Sequence, residues 1–332
     1  MTVKFKKILT SRYAFLLIGI ILGSFGYAGV SRYYLNEDRQ SNAYETRAGG
    51  TGLTNPLLDC EYSGGLSKAL IPFQEAISAL IDQKIQKGDL SFGAVYFRDL
   101  NNGPWFGINE KEKFIPASLM KVPVMIAAFK KAESDQEFLN KTVVYQGPLN
   151  NTPYPYFKPK EEIVPGNSYT IEDLIRRMII YSDNNARDLV VMNMGGGKEL
   201  DDVFKLIGSD FTTNNFLVIV RDYSSFFRVL FNSSYLSREM SEKALQLLVD
   251  TKFDPGLVKG LPPGVKIADK FGEKMASGDS EKQLHNCGII YYPKRPYILC
   301  VMTRGDNFDK LADSIADISR AVYQEVDKQF GK

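Results

Sequence analysis

The stretch Phe114-Ile-Pro-Ala-Ser-Leu-Met-Lys-Val-Pro-Val-Met-Ile-Ala-Ala-Phe129 sets one serine and one lysine three positions apart among apolar residues. If the run is helical, that spacing is just under one turn, so Ser118 and Lys121 share a face and reach each other. Burial disfavours the charged form of such a lysine, and the neutral amine can then take the serine's proton. A plainer reading has Ser118 capping the helix and Lys121 bending its stem out to solvent. Short patterns recur freely, so the choice depends on what the rest of the chain offers.

Ser118 is the only serine with a lysine three residues after it. Two further clusters follow it in sequence. Tyr181-Ser182-Asp183-Asn184-Asn185-Ala186 falls at a junction between two predicted helices, and Asp269-Lys270-Phe271-Gly272-Glu273 falls on a predicted strand. Taken singly, Ser182 and Asp183 read as a helix N-cap pair, Asn184 as a turn residue, and Lys270 as a charge on a strand edge. The chain holds a single histidine, His285. That excludes metal centres built on several imidazoles and leaves lysine as the base for a serine nucleophile, with His285 read as structural.

In this order, Ser-x-x-Lys, Ser-Asp-Asn and Lys-x-Gly resemble the penicillin-interacting serine acyltransferases, and specifically the class A β-lactamases. The resemblance implies that Ser118 is acylated, that Lys121 shuttles its proton, and that Ser182 passes the proton to the leaving nitrogen. It further implies that Asn184 orients Lys121 and holds a substrate amide, that Lys270 faces the substrate carboxylate, and that the N–H groups of Ser118 and Glu273 form an oxyanion hole. Asn184, Lys270, Gly272 and Glu273 are thus the implied substrate-binding positions. The implied substrate is a β-lactam or a cell-wall peptide, with no cofactor and no metal.

Two positions depart from the family pattern. Phe271 stands where family members usually carry a threonine or serine whose hydroxyl helps grip the substrate carboxylate. Either the substrate differs, or Lys270 and neighbouring serines such as Ser277 compensate. Class A enzymes also activate the deacylating water with a glutamate in a Glu-x-x-Leu-Asn setting. Here the only glutamates between Asn184 and Lys270 are Glu199, Glu239 and Glu242, each within a predicted helix. Asp210 and Asp222 flank the segment that replaces that loop and are the substitutes to test. The expectation is an acyl-enzyme that deacylates slowly. A cell-wall acyltransferase of the DD-peptidase kind, and a non-catalytic binding domain that keeps the fold, are the alternatives.

Positioning these residues requires a set of elements that periodicity supplies. Leu66 to Lys87 carries apolar residues at helical spacing and ends at Gly88. Strands are predicted over Phe92 to Asp99 and Trp105 to Ile108, followed by the Ser118 helix. The middle is helical: Thr170 to Tyr181, Ala186 to Met194, Lys198 to Leu206, Tyr223 to Phe231 and Ser237 to Val249. Strands return over Val265 to Phe271, Leu284 to Tyr292 and Tyr297 to Thr303, before a closing helix from Phe308 to Phe330. The predicted fold class is α+β, an antiparallel sheet built from both ends of the domain with a large helical insert, as in β-lactamases and transpeptidases.

The N-terminal part reads differently. Tyr13 to Ser31 is a 19-residue stretch without a charge, preceded by Lys4, Lys6, Lys7 and Arg12. It predicts a single-pass signal anchor that places the rest of the chain outside the cytoplasmic membrane, a cleaved signal peptide being the alternative. Residues 1–12 are then a basic cytoplasmic tail, 32–55 a polar stalk that does not pack against the domain, and 56–332 the enzyme domain. Over the 332 residues, 41 basic and 39 acidic side chains leave a net charge of +2, with no footprint for a nucleic acid. A monomer is expected. Cys287 and Cys300 flank Pro293-Lys294-Arg295-Pro296 symmetrically, so a hairpin sets them opposite each other, paired or as two small buried hydrophobes, with Cys60 the odd one out.

Overall fold

The computed structural model describes residues 45–49, 52–60, 70–101, 103–148, 155–195, 197–207, 217–275 and 281–330. The predicted anchor at 13–31 lies outside them, and among the described residues no helix is long and apolar enough to cross a membrane.

The chain enters the fold through two short strands, β1 (Glu45–Arg47) and β2 (Leu57–Cys60), paired antiparallel. This corrects the expectation of a free stalk reaching to residue 55. Arg47 Nη1 donates to Asn55 O and to Asn232 Oδ1, both at 2.8 Å, and its guanidinium lies over the Phe231 ring at 5.1 Å. Leu53 and Thr54 are buried, and their N–H groups donate to the Glu242 carboxylate at 2.5 and 2.9 Å. Composition suggested a linker because the segment is polar. Its polar groups instead pair with two helices of the domain, through Asn232 and Glu242.

Helix α1 (Ile71–Gln86) carries Pro72 in its first turn, where the missing N–H is harmless, and is followed by Gly88 at φ +70°. It buries Phe73, Ile77 and Ile81. Strands β3 (Phe92–Asp99) and β4 (Trp105–Ile108) follow, then β5 (Lys113–Phe114), a 3-10 turn over Ala117–Met120, and α2 (Lys121–Ser134). The helical insert opens with the β6 (Thr142–Val144) and β7 (Ser168–Thr170) ladder, and continues with α3 (Ile171–Ile180), α4 (Asn184–Asn193) and α5 (Lys198–Leu206). Thr170 caps α3 by accepting from Asp173 N at 3.1 Å, as its Thr-x-x-Asp pattern predicts. After β8 (Val218–Ile219), which pairs with β5, come α6 (Val220–Asn232) and α7 (Arg238–Val249), and then a 3-10 turn over Val258–Gly260. The last elements are β9 (Ile267–Lys274), β10 (Lys282–Ile290), β11 (Tyr297–Gly305) and α8 (Phe308–Phe330).

The main sheet has the order β4-β3-β11-β10-β9, every pair antiparallel. It is therefore assembled from both ends of the domain, as predicted, with β9 on an edge. Side chains alternate across it. Val95, Phe97, Leu299 and Val301 pack with Phe73 and Ile77 of α1 and with Ile315 and Val322 of α8. Ala94, Tyr96, Cys300 and Met302 pack with Met125 of α2 and Phe226 of α6. Both faces are covered, which is why these strands are nearly all apolar. Cys287 and Cys300 are directly opposed in the β10–β11 register and joined by a disulfide inside this core.

Candidate active site

Ser118 sits in the 3-10 turn that runs into α2, after Ala117 at φ +50°, a left-handed conformation that costs an L-residue about 1 kcal/mol or more. The turn is held from several sides. His285 Nε2 bonds Ile115 O at 3.0 Å, Ile115 N donates to Gln283 Oε1 at 3.1 Å, and Tyr223 Oη donates to Leu119 O at 2.9 Å. Burial lowers the His285 pKa to about 4, so its ring is a neutral structural donor at pH 7. Lys121 opens α2, one turn on, and its Nζ lies 2.8 Å from Ser118 Oγ.

Ser182 occupies the junction of α3 and α4 at φ +60°, and this kink turns both its carbonyl and its hydroxyl toward Lys121. Asp183 is buried and acts as the α4 N-cap: its Oδ1 accepts from Asn185 N at 2.8 Å and Ala186 N at 3.1 Å. Its other oxygen accepts from Ile163 N at 2.8 Å, which ties the junction to the loop ahead of β7. The N-cap reading of the sequence is therefore correct for Asp183. Ser182 is left free for the site.

Four oxygens lie within bonding distance of Lys121 Nζ: Ser118 Oγ at 2.8 Å, Ser182 O at 2.7 Å, Asn184 Oδ1 at 2.7 Å and Ser182 Oγ at 3.1 Å. A hydroxyl, a carbonyl and an amide do not neutralise an ammonium. As an amine, Lys121 donates its two N–H groups to Ser182 O and Asn184 Oδ1 and turns its lone pair toward a hydroxyl. Complete burial drives its pKa well below the usual lysine range, and the nearby charges of Lys270 and Arg187 push the same way against Asp183 and Asp188. A neutral amine facing a serine hydroxyl is the arrangement that general-base activation requires.

The third cluster comes from β9. Lys270 is buried and its Nζ donates to Ser182 Oγ at 3.0 Å and to Phe271 O at 3.3 Å. Burial lowers its pKa to about 7, opposed by Asp269 and Glu273. Gly272 is where β9 meets the nucleophile's turn: a Cβ there would lie 2.6 Å from Pro116 O and 2.9 Å from Leu119 N. Only glycine allows that approach. Phe271 stacks on Phe253, with ring centroids 3.9 Å apart at 13°. Phe157 meets it edge-on at 6.1 Å, and Lys270 Nζ lies 4.4 Å from its centroid. The Glu273 carboxylate accepts from Phe157 N at 3.2 Å, and burial raises its pKa.

All seven residues singled out in the sequence thus fall at one place where β9, the α3–α4 junction and the start of α2 converge. Other participants were missed. Asp269 is buried behind Lys270, accepts from Asn286 Nδ2 at 2.7 Å and Thr251 Oγ1 at 2.9 Å, and has its pKa raised by burial to about 6. Asn286 also donates to Lys270 O at 3.1 Å and so fixes the backbone of the motif. Phe157 and Phe253 carried no spacing signal, since they come from separate loops. Asp210 and Ser277 lie outside the described residues. Asp222 faces Arg221 at 3.6 Å, and Glu199 lies 3.9 Å from Lys131.

Residues 72–326 match the family model of the beta-lactamase enzyme family. The chain belongs to this family. A beta-lactamase of Bacteroides uniformis is 24% identical over 266 residues, covering 73% of this chain and 88% of that protein. The extended-spectrum beta-lactamase PER-1 of Pseudomonas aeruginosa is 25% identical over 240 residues, 65% of this chain and 77% of that protein. Among solved structures, PBP-A superposes with a TM-score of 0.64 at 23% identity, over 78% of this chain and 97% of its own. A reconstructed class A beta-lactamase ancestor of Gram-negative bacteria gives 0.64 at 21% identity, over 75% of this chain and 99% of its own. The α+β fold is the fold of these proteins, and the chain is a beta-lactamase-like hydrolase.

Proposed function

We propose that this beta-lactamase-like hydrolase acts through an acyl-enzyme on Ser118. The observation that carries the proposal is a continuous relay: Lys121 Nζ lies 2.8 Å from Ser118 Oγ and 3.1 Å from Ser182 Oγ, and Lys270 Nζ lies 3.0 Å from that same Ser182 oxygen. The neutral Lys121 amine takes the Ser118 proton as Oγ attacks the amide carbonyl. The oxyanion is held by the Ser118 and Glu273 N–H groups. Lys121 returns the proton through Ser182 to the leaving nitrogen while Asn184 keeps the lysine aligned. Water then hydrolyses the ester. Among the described residues the oxygens around Lys121 are those of serine and asparagine, and the sequence holds no Glu-x-x-Leu-Asn segment; on this reading deacylation limits turnover and the acyl-enzyme accumulates. Substrates are β-lactams or related cell-wall amides; a variant of PBP-A has been captured as an acyl-enzyme with penicillin G.

The proposed location is the outer face of the cytoplasmic membrane, with a monomeric chain tethered there by the apolar segment at 13–31. The buried Cys287–Cys300 disulfide fits an oxidising compartment.

Full-length protein in detergent, incubated with a reporter β-lactam, should show a burst of about one equivalent and then a slow steady state. Intact mass should gain one acyl group, and Ser118→Ala should gain none. An unchanged adduct on Ser118→Ala refutes the assignment, and fast turnover without a burst refutes slow deacylation.

A further inference from the structure

The disulfide between Cys287 and Cys300 lies in the same row of the main sheet as the lysine of the third motif. In register, Tyr96 of β3 faces Cys300 of β11, Cys300 faces Cys287 of β10, and Cys287 faces Lys270 of β9. Directly opposed residues share a face of a sheet, so these four side chains stand side by side and the cross-link adjoins Lys270. Resting on the reading of Ser118 as the acylated residue, we propose that the Cys287–Cys300 disulfide is a positioning element for Lys270, so that the chain acylates at full rate only once those two thiols have been oxidised.

Strand β9 lies on an edge, and its one neighbour in the main sheet is β10. Three consecutive β10 residues set its place. Asn286 Nδ2 donates to Asp269 Oδ2 at 2.7 Å and to Lys270 O at 3.1 Å. Cys287 stands opposite Lys270, and at Gly288 a Cβ would lie 2.7 Å from Ala268 O, so the two strands leave no slack there. A shift of β10 against β11 is therefore passed on to β9 and Lys270. The disulfide is the covalent tie between β10 and β11, and both of its cysteines are fully buried.

Breaking the tie converts one bonded pair into two thiols, which need more room in a close-packed interior. The row can give way at either end. On the β11 side, Tyr96 belongs to a strand paired on both edges, and its ring stacks on Trp105 with centroids 5.6 Å apart. On the β9 side, Lys270 belongs to an edge strand, and its Nζ donates to Ser182 Oγ at 3.0 Å and to Phe271 O at 3.3 Å. The edge yields first. Its displacement lengthens the Lys270–Ser182 contact, one link of the relay that runs on to Lys121 and Ser118. In the oxidising step the two thiols exchange with an external disulfide: the Cys287–Cys300 bond forms, the external bond breaks, and its two sulfurs leave as thiols carrying the two protons.

The test measures Ser118 acylation by a reporter β-lactam, followed by intact mass, in oxidised full-length protein and in the same protein unfolded and refolded with dithiothreitol, then desalted without air. A second form, Cys287→Val/Cys300→Val, places two unlinked side chains in the row with no reductant present, so the result does not depend on one preparation folding. Both should acylate roughly tenfold or more slowly, within the range for a misplaced group in a positioned site. Lys270→Met supplies a readout that general loosening of the core would not move. In that background the lysine is already gone, so reduction should change the acylation rate by less than about threefold while still lowering stability to urea. The oxidised-protein rate in either unlinked form, once circular dichroism shows it folded, overturns the proposal, as does an equal fold-loss in Lys270→Met. Absence of a Ser118 adduct on oxidised wild-type protein removes the acylation reading and this proposal together, an outcome distinct from equal rates in the two redox forms.

Discussion

Gly272→Ala is the substitution whose consequence follows most directly from the geometry. The new methyl carbon would lie 2.6 Å from Pro116 O, 2.9 Å from Leu119 N and 3.0 Å from Leu119 Cγ, where ordinary contacts begin at 3.4 Å. Neither side yields easily. Leu119 N donates to Pro116 O at 3.0 Å and Leu119 O accepts from the buried Tyr223 hydroxyl at 2.9 Å, while β9 is held in register by β10 from Ile267 to Lys274. The shortfall is 3.4 less 2.6, so about 0.8 Å must come from separating β9 and the Ser118 turn. Overpacking of this kind costs about 1–3 kcal/mol. A displacement approaching 1 Å in a positioned nucleophile costs on the order of 10²-fold in rate. Urea unfolding should therefore show a loss of about 1–3 kcal/mol, and Ser118 acylation by a reporter β-lactam should slow about a hundredfold. Gly197→Ala, at a position with nothing within 4 Å of the added carbon, is the control and should leave acylation unchanged, with stability moving by no more than about 1 kcal/mol. Wild-type acylation and wild-type stability in Gly272→Ala would refute the claim that this contact sets the nucleophile's position.

Lys270 gives up its proton at about 7 when folded and at 10.5 when unfolded, so the unfolded state binds more protons between those values. The burial penalty is complete below pH 7 and relieved as pH rises toward 10.5, so wild-type stability should climb across that window; Lys270→Met should flatten the climb, and an unchanged slope counts against it. Because the Lys270 charge depresses Lys121, the same variant should shift the rising limb of the acylation pH profile to higher pH. Asn286→Ala strips donors from Asp269 and Lys270 O and an acceptor from Leu257 N, and should cost about 2–4 kcal/mol in denaturant unfolding. Reducing the Cys287–Cys300 disulfide, with a sequence separation of 13, should lower stability by about 3 kcal/mol; a smaller loss means strand pairing alone confines the reduced chain.

The helices and strands were legible wherever one face is buried and the periodicity is strong. The closing helix keeps its expected bounds at Phe308 and Phe330, and the late strands differ from expectation by two or three residues at their ends. The Ser118 segment was less so. A helix through Ser118 was expected, and a 3-10 turn entered through Ala117 at φ +50° was found, because that angle is imposed by neighbours such as His285 and Tyr223 rather than by local sequence. The short strands β5 and β8 have too few residues to show a period, and the polar segment that ends at Asn55 gave no sign that Glu242 and Asn232 would receive it.

Sequence by itself determined the chemistry available: one serine with a lysine at helical spacing, a Ser-Asp-Asn junction, a Lys-x-Gly strand and a single histidine, in an order that resembles a serine hydrolase. These are local facts, fixed by residue type and spacing. Only the tertiary structure decided that Lys121 is stripped of water among uncharged oxygens, that Ser182 lies between two lysines, and that Phe271 is closed over by Phe253 and Phe157. Protonation state and access depend on what surrounds a group in space, and the surroundings of Lys121 come from segments more than 60 residues away in the chain.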